Sequence, residues 1–495
     1  MDQLFEIEIA LAPEGSRECG RALHAQLKAA ILDGRLAPGA RLPATRRSKE
    51  YFGISRNTAA EVYERLLIEG YVVTRPGSGS YVADRPPASP AAAAAAQSGP
   101  AAPDPRLNEF WLRPDVTSAL GFWRDGAGQS TGVAHVDFRP ALVDPRSFPF
   151  DVFRRVSAQK MRGLERRPAS YKSPQGNQGN YFLREGIVNH IALTRSVACR
   201  AEDVLVTSGA QQAFDLLART LVTPGKTVVA MEDPGYPPMR VAFAAAGGRL
   251  VPVGVDAEGL IVDDLPRDAG IVCVCPSHQF PLGVTLSARR RKALIDFART
   301  HGAVVVEDDY DGEFRYEGSF VEPLRTPDAA DVVFYVGTFS KCMLPSLRLG
   351  YIVMPDWALQ SLVAAKNCLD WHCSTPIQSG VAAFIAGGHL ARHVRKMREI
   401  YRRRRLFVQN FLTDKLGHWL EPIPSFYGMH IAAASRETAD LDAIAQALID
   451  SNVNIHSFGR YYLGPKSRDG LIFGYGAADI PALEQGLTRL HEALR

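Results

Sequence analysis

Between Arg21 and Leu32 the apolar residues Leu23, Leu27, Ile31 and Leu32 recur at the spacing of an amphipathic helix, and Gly34 ends the run. A second helix is predicted over Thr45 to Phe52, after the turn Pro38-Gly39 and Pro43. Ser55 is positioned to cap a third, Arg56 to Glu69, whose Ala59, Val62, Tyr63, Leu66 and Leu67 line one face. The period then switches to two. Tyr71 to Arg75, the turn Pro76-Gly77-Ser78-Gly79 and Ser80 to Val82 predict a β-hairpin. Helix, helix, turn, helix and hairpin form the layout of a winged helix-turn-helix over residues 16–85. Ahead of it, residues 1–15 alternate enough, at IEIA, for a short strand or a loose end.

Periodicity then stops. PPASPAAAAAAQSGPAAPDP, residues 86–105, cannot pack a core and reads as a linker, extending to residue 109. Fully extended, it would reach about 60 Å at 3.1 Å per residue, although its six alanines also suit a helical turn or two. From Phe110 to Arg495 helical and strand patterns alternate, as in an α/β body. Val204 to Thr207, Ala303 to Val306 and Val332 to Val336 are short apolar runs that read as buried strands, the last breaking at Gly337. Tyr171 to Tyr181 is a polar, glycine-containing loop before a Leu183 to Leu193 helix. Arg392 to Arg405 reads as the solvated face of a long helix, a second DNA contact being the alternative. Glu421 to Arg495 has the pattern of a smaller terminal domain.

Charge sharpens this division. Residues 17–85 hold 12 Lys plus Arg against 7 Asp plus Glu, so this module carries +5 of a total +4 and the remainder is near −1. A basic module beside a near-neutral body points to nucleic acid. The seven cysteines, at 19, 199, 273, 275, 342, 368 and 373, form no CxxC pair, which fits a reducing cytoplasm and no metal site. No apolar run is long enough to span a membrane, and no secretion signal opens the chain.

The strand ends carry chemistry. After Val332 to Val336 come Thr338, Ser340 and Lys341, with Arg348 seven residues on. A lysine just beyond a buried strand loses solvation, which lowers its pKa and suits it to Schiff-base formation, while hydroxyls and a guanidinium suit a phosphate. After Ala303 to Val306, Asp308 can keep a pyridine nitrogen protonated and Tyr310 can bond a ring 3-oxygen. After Val204 to Thr207, a helix begins beyond Gly209, Ala210 and Gln211, and its first amides can cradle phosphate.

On TSGAQQAFDLLARTL, EDPGY, CPSHQFPLG, VVVEDDYDGEFRY and GTFSKCMLPSLRLGY, the chain resembles fold-type I aminotransferases, and more closely the MocR-type regulators of the GntR family. GRLAPGARLPATR, GISRNTAAEVYERLLIEGYV and PGSGSYV resemble the GntR winged helix. The resemblance implies a large mixed sheet with a small carboxy-terminal domain, and pyridoxal 5′-phosphate held by Lys341 as an internal aldimine. It also implies Asp308 at the ring nitrogen, Tyr310 at the 3-oxygen, Tyr236 stacked on the ring, and Gly209, Ala210, Gln211, Thr338, Ser340 and Arg348 at the phosphate. Arg46, Arg47, Ser55, Arg56, Asn57, Thr58, Gly77 and Gly79 are then expected at or near a double-stranded DNA operator. A head-to-tail homodimer in the bacterial cytoplasm is implied as well, with the 171–181 loop reaching a neighbouring site.

Two departures bear on activity. Phe280 stands where related enzymes carry an asparagine to the 3-oxygen, and the GLIFGY run at 470–475 lacks their carboxylate-binding arginine. Arg460 is the substitute candidate for an effector carboxylate. Losing a carboxylate anchor weakens turnover, so at most residual transamination is expected. The reading is a regulator in which a small amino compound displaces Lys341 and alters operator binding. The alternatives are an active aminotransferase fused to a DNA-binding module, a sensor of pyridoxal phosphate itself, and a degenerate dimerisation scaffold.

Overall fold

The computed structural model describes residues 19–84, 106–122, 136–166, 176–318, 321–437 and 440–495. The chain forms two compact units that divide after Leu107. Residues 1–15 and the linker at 86–105 lie outside the described residues, as do residues 171–175 of the 171–181 loop.

In the first unit, α1 (Cys19–Leu32), α2 (Ser48–Phe52, preceded by a 3-10 turn at Thr45–Arg47) and α3 (Arg56–Ile68) follow the predicted order. Leu23, Leu27, Ala59, Val62 and Leu66 are buried together between α1 and α3. Lys28 ties α1 to Glu69 beyond α3 at 2.7 Å. The hairpin pairs β1 (Val72–Arg75) with β2 (Gly79–Val82), Val72 opposite Val82.

The second unit is built on an eight-stranded sheet. After β3 (Val136–Asp137), its strands are β4 (Val204–Thr207), β5 (Val228–Asp233), β6 (Arg249–Asp256), β7 (Gly259–Leu260), β8 (Ala269–Val274), β9 (Val304–Asp309), β10 (Val333–Thr338) and β11 (Gly350–Val353). Their spatial order is β4-β11-β10-β9-β8-β5-β6-β7. β10, β9, β8, β5 and β6 run parallel, and β11 is antiparallel to both neighbours, so β4 shares the direction of β10. The carboxyl ends of β4, β5, β8, β9 and β10 therefore open on one edge, where α/β sheets bind ligands. Nearly every residue of these five strands is buried, which explains their continuous apolar reading.

A smaller sheet, β12 (Leu420–Pro422), β13 (His430–Ser435), β15 (His456–Ser457) and β16 (Gly470–Gly474), packs in the order β12-β13-β16-β15. β14 (Val453–Asn454) pairs in parallel with β3. Among the described residues no helix is long and apolar enough to cross a membrane.

Three expectations need correction. Gly337 does not break its strand: β10 continues through Thr338, and Gly337 pairs with Asp309 on one side and Tyr351 on the other. The glycine is required by packing, since a Cβ there would lie 2.3 Å from the Tyr351 ring. The acids Glu307, Asp308 and Asp309 likewise stand within β9 and are buried, where the sequence reading ended the strand at Val306. The basic helix His389–Lys415 is only partly a solvated face. Its Arg404 and Arg405 are buried, Arg404 bonding Asp144 at 3.1 Å and the Gly476 carbonyl at 2.7 Å, and Arg405 the Ser425 carbonyl.

Candidate functional site

Alternation along β9 sorts its acids. Side chains two apart share a face, so Asp308 and Tyr310 point one way and Glu307 and Asp309 the other. On that second face Asp309 accepts from Arg195 Nε at 2.6 Å and from the Tyr335 hydroxyl at 2.5 Å, and Glu307 accepts the amides of Leu324 and Arg325, each at 3.0 Å. On the first face, among the described residues, Asp308 keeps only a weak partner, the Cys275 thiol at 3.8 Å, and its Oδ1 is buried without one. Burial, reinforced by the neighbouring Asp309 and Asp311, pushes Asp308 up to about 8. An acid so placed is strongly favoured in its charged form by a cation or N–H donor at Oδ1.

Lys341 follows β10 on the same edge. The residue keeps some surface, but its amine lies deep. Burial pulls it from the ordinary lysine range down to about 8, with Asp311 and Asp308 acting against the shift and Arg348 with it.

Register also aligns the anion cradle. Thr338 pairs with Gly350, and Gly350 with Thr207, across β10, β11 and β4. Helix Ala210–Leu221 then starts from Gly209, at φ 82°, with no side-chain cap on its first amides. A Cβ at Gly209 would lie 2.9 Å from Arg348 Nη2, which itself donates to the Ser208 carbonyl at 3.0 Å. Thr338 Oγ1 accepts the Ser340 amide at 3.1 Å and lies 3.0 Å from its hydroxyl. Uncapped helix amides, two hydroxyls and a guanidinium in one corner are donors of the kind a phosphate calls for. The Gln211 side-chain amide donates to the Pro238 carbonyl at 2.9 Å, which leaves its backbone amide as the group to offer an anion. These features, the unpartnered Asp308 Oδ1 and the lysine fit pyridoxal phosphate.

Tyr236 precedes helix Pro237–Ala245 and meets Phe280 edge-on at 5.4 Å and Phe122 at 5.8 Å. Phe280, the residue in the asparagine position, also packs on Tyr310 at 5.5 Å and Tyr461 at 5.4 Å. Arg460 directly precedes Tyr461 in the chain. It lines a cavity of about 910 Å³ with Arg113, Arg240 and Asp442, whose wall includes none of Lys341, Asp308 or Tyr310.

The sequence reading missed His278, Asp311 and His430, all buried. His278 Nδ1 lies 2.8 Å from the Tyr310 hydroxyl and 3.1 Å from Asp311. The three can bring their ligand atoms within 4.8 Å of one another. Histidine two residues before Phe280, and aspartate one after Tyr310, were visible signals, but nothing in the sequence says they meet.

In the first unit, Arg46, Ser55, Arg56 and Asn57 are exposed, as are Gly77 and Gly79 at the hairpin tip. Ser55 caps α3 by accepting the Thr58 amide at 3.2 Å, and the two hydroxyls lie 2.8 Å apart. Arg47 forks onto Glu50 and lies over Tyr51 at 4.8 Å. Arg46, Arg56 and Asn57 thus stand out from the protein surface, while Arg47, Ser55 and Thr58 are engaged locally.

Residues 148–468 match the family described as aminotransferase class I and II, and residues 20–82 match the gntR family of bacterial regulatory proteins. The chain is 32% identical over 474 residues to the probable rhizopine catabolism regulatory protein MocR of Rhizobium meliloti, covering 96% of this chain and 93% of that one. It is 30% identical to the pyridoxine biosynthesis transcriptional regulator PdxR of Corynebacterium glutamicum, covering 99% of both. Among solved structures, an archaeal alanine:glyoxylate aminotransferase superposes with a TM-score of 0.70 at 22% identity, over 78% of this chain and 98% of the other, a likeness of fold.

Proposed function

The chain belongs to the MocR-type regulators of the GntR family, transcriptional regulators that join a winged helix to a pyridoxal-phosphate-binding aminotransferase domain, and we propose that a small amino compound controls its binding to DNA. The observation that carries this reading is the meeting, on one sheet edge, of a deep lysine with an aspartate whose buried Oδ1 has no partner.

Pyridoxal phosphate, when bound, supplies an aldehyde carbon that bonds primary amines and a ring that withdraws electrons. Lys341 Nζ is the amine an effector must displace. Asp308 holds a proton on the ring nitrogen, Tyr310 bonds the 3-oxygen and Tyr236 covers the ring. The amides after Gly209, with Ala210, Gln211, Thr338, Ser340 and Arg348, anchor the phosphate. Arg460 is the candidate partner for an effector's anionic group. It lines its cavity beside Arg113 and Arg240, cations that suit the same anionic group. Phe280 brings no donor to the site, which supports sensing over turnover.

An effector shifts DNA binding only through unequal affinity for two arrangements of the molecule. The proposed molecule is a homodimer presenting two winged helices to an operator in the bacterial cytoplasm, with Arg46, Arg56 and Asn57 nearest the DNA. A second reading, pyridoxal phosphate itself as the signal, is favoured by the likeness to the pyridoxine biosynthesis regulator.

Absorbance of the purified protein tests the proposal. The expected result is a visible band that borohydride removes and Lys341→Ala lacks, with amines that perturb the band also changing DNA affinity. A wild-type protein that shows no band after added cofactor would refute the lysine's role. DNA affinity responding to cofactor with no amine present would support the second reading.

A further inference from the structure

We propose that His278 is a positioning residue for Tyr310: its Nδ1–H, aligned by Asp311, donates to the phenol oxygen and so directs the phenol's own proton toward the 3-oxygen of pyridoxal phosphate. This rests on the reading that Lys341, Asp308 and Tyr310 hold that cofactor.

The imidazole has almost no freedom. It is buried, lies roughly parallel to the Tyr310 ring at 5.8 Å, and has His430 at 4.6 Å on another side. A Cβ at Gly428, where φ is 88°, would fall 1.9 Å from His278 Cε1, and one at Gly283, where φ is 78°, would fall 3.1 Å from Nε2. Two glycines in left-handed backbone therefore leave room for this ring in this orientation.

Its proton can be located by elimination. Nδ1 faces the Tyr310 hydroxyl at 2.8 Å and both Asp311 oxygens at 3.1 and 3.2 Å, while Nε2 is buried with no partner. A proton on Nε2 would be a buried N–H without an acceptor, the costlier form of unmet hydrogen bonding. A proton on Nδ1 finds two acceptors and leaves Nε2 a bare lone pair. Asp311 thus selects the tautomer, as carboxylates beside histidines do. His430 behaves alike: its Nε2–H donates to the Pro281 carbonyl at 2.9 Å, leaving Nδ1 bare.

Burial keeps both imidazoles neutral, pulling each down to about 3. The charged groups acting on His278 are Arg405 and Asp309, while Asp311, Asp308 and Glu232 act on Tyr310. Burial, with Asp309 and Glu313, pushes Asp311 up to about 8, against His430 and Lys341; a protonated carboxyl keeps a carbonyl oxygen that accepts, and the orphaned N–H of the other imidazole tautomer decides for Asp311 as acceptor. With the phenol oxygen already receiving a hydrogen bond, its own hydrogen must point elsewhere. Phe280 offers the 3-oxygen no donor, so Tyr310 has to supply it.

Pyridoxal phosphate titrated into full-length apoprotein tests this, with affinity read by fluorescence quenching and the visible band followed against pH. A donor stabilises the anionic 3-oxygen, so its loss raises the pH midpoint of the band. His278→Leu is expected to weaken cofactor binding about tenfold and raise the midpoint by about one unit. His278→Asn, which returns a donor near Nδ1, should restore most of both. Tyr310→Phe should shift the midpoint alike, and adding His278→Leu to it should shift nothing further. An unchanged midpoint in His278→Leu, or an added shift in the double variant, overturns the proposal. So does a stoichiometric transition metal whose chelation reproduces the change, since His278, Asp311 and His430 would then be ligands. A missing band in wild type, or one retained by Lys341→Ala, defeats the cofactor reading itself.

Discussion

At the scale of single residues, the site works by deep burial of groups that ordinarily prefer water. Lys341 pulled down to about 8 is a neutral nucleophile in a large fraction of molecules near that pH, whereas an exposed lysine is almost wholly protonated. Covalent capture of added pyridoxal phosphate should therefore accelerate by about tenfold per unit as pH rises toward 8, then level off. Stopped-flow absorbance after mixing apoprotein with cofactor reads this directly, and a rate still rising steeply near pH 10 would mean that Lys341 is not desolvated. Lysine, aspartate and tyrosine were legible as candidates because each closely follows an apolar run, and the arginine because it stands seven residues beyond the lysine. His278 and Asp311 were not, because they follow different strands, β8 and β9, which only the sheet sets side by side.

At the scale of elements, strand register aligns what the motifs leave scattered. Thr338, Gly350 and Thr207 stand in one row across three strands, so the phosphate corner depends on β11 lying between β4 and β10. Gly337 keeps that row intact, because Tyr351 occupies the space of its missing Cβ. Gly337→Ala should cost about 1–3 kcal/mol by overpacking. Chemical denaturation would show it, and replacing Tyr351 with Leu in the same chain should recover most of the loss. A wild-type midpoint in Gly337→Ala would show that the ring moves aside freely. The turn reading of Gly337 failed because a glycine required by a cross-strand neighbour and one required by a turn look the same in sequence.

At the scale of the whole molecule, a basic DNA-binding unit and a cofactor-binding unit are joined by a low-complexity stretch, and regulation requires each to report on the other. Removing ten residues from the 86–105 stretch should leave the cofactor band unchanged. It should weaken binding to a two-half-site operator while sparing a single half-site, if two winged helices must reach paired sites. Band-shift titration on both DNAs decides it, and equal loss on both would mean that the deletion harmed the winged helix itself. The sequence by itself determined the two-part organisation and the winged helix, and it singled out the candidate lysine and aspartate, because hydrophobic period, capping residues and strand-end chemistry are local properties. Only the tertiary structure decided that Asp309 is spent on Arg195, that Arg460 lines a cavity with Arg113 and Arg240, and that His278 lies against the Tyr310 hydroxyl. Those outcomes depend on which face of a strand a side chain takes and which strand lies beside it, and contacts between distant stretches of chain leave no spacing to read.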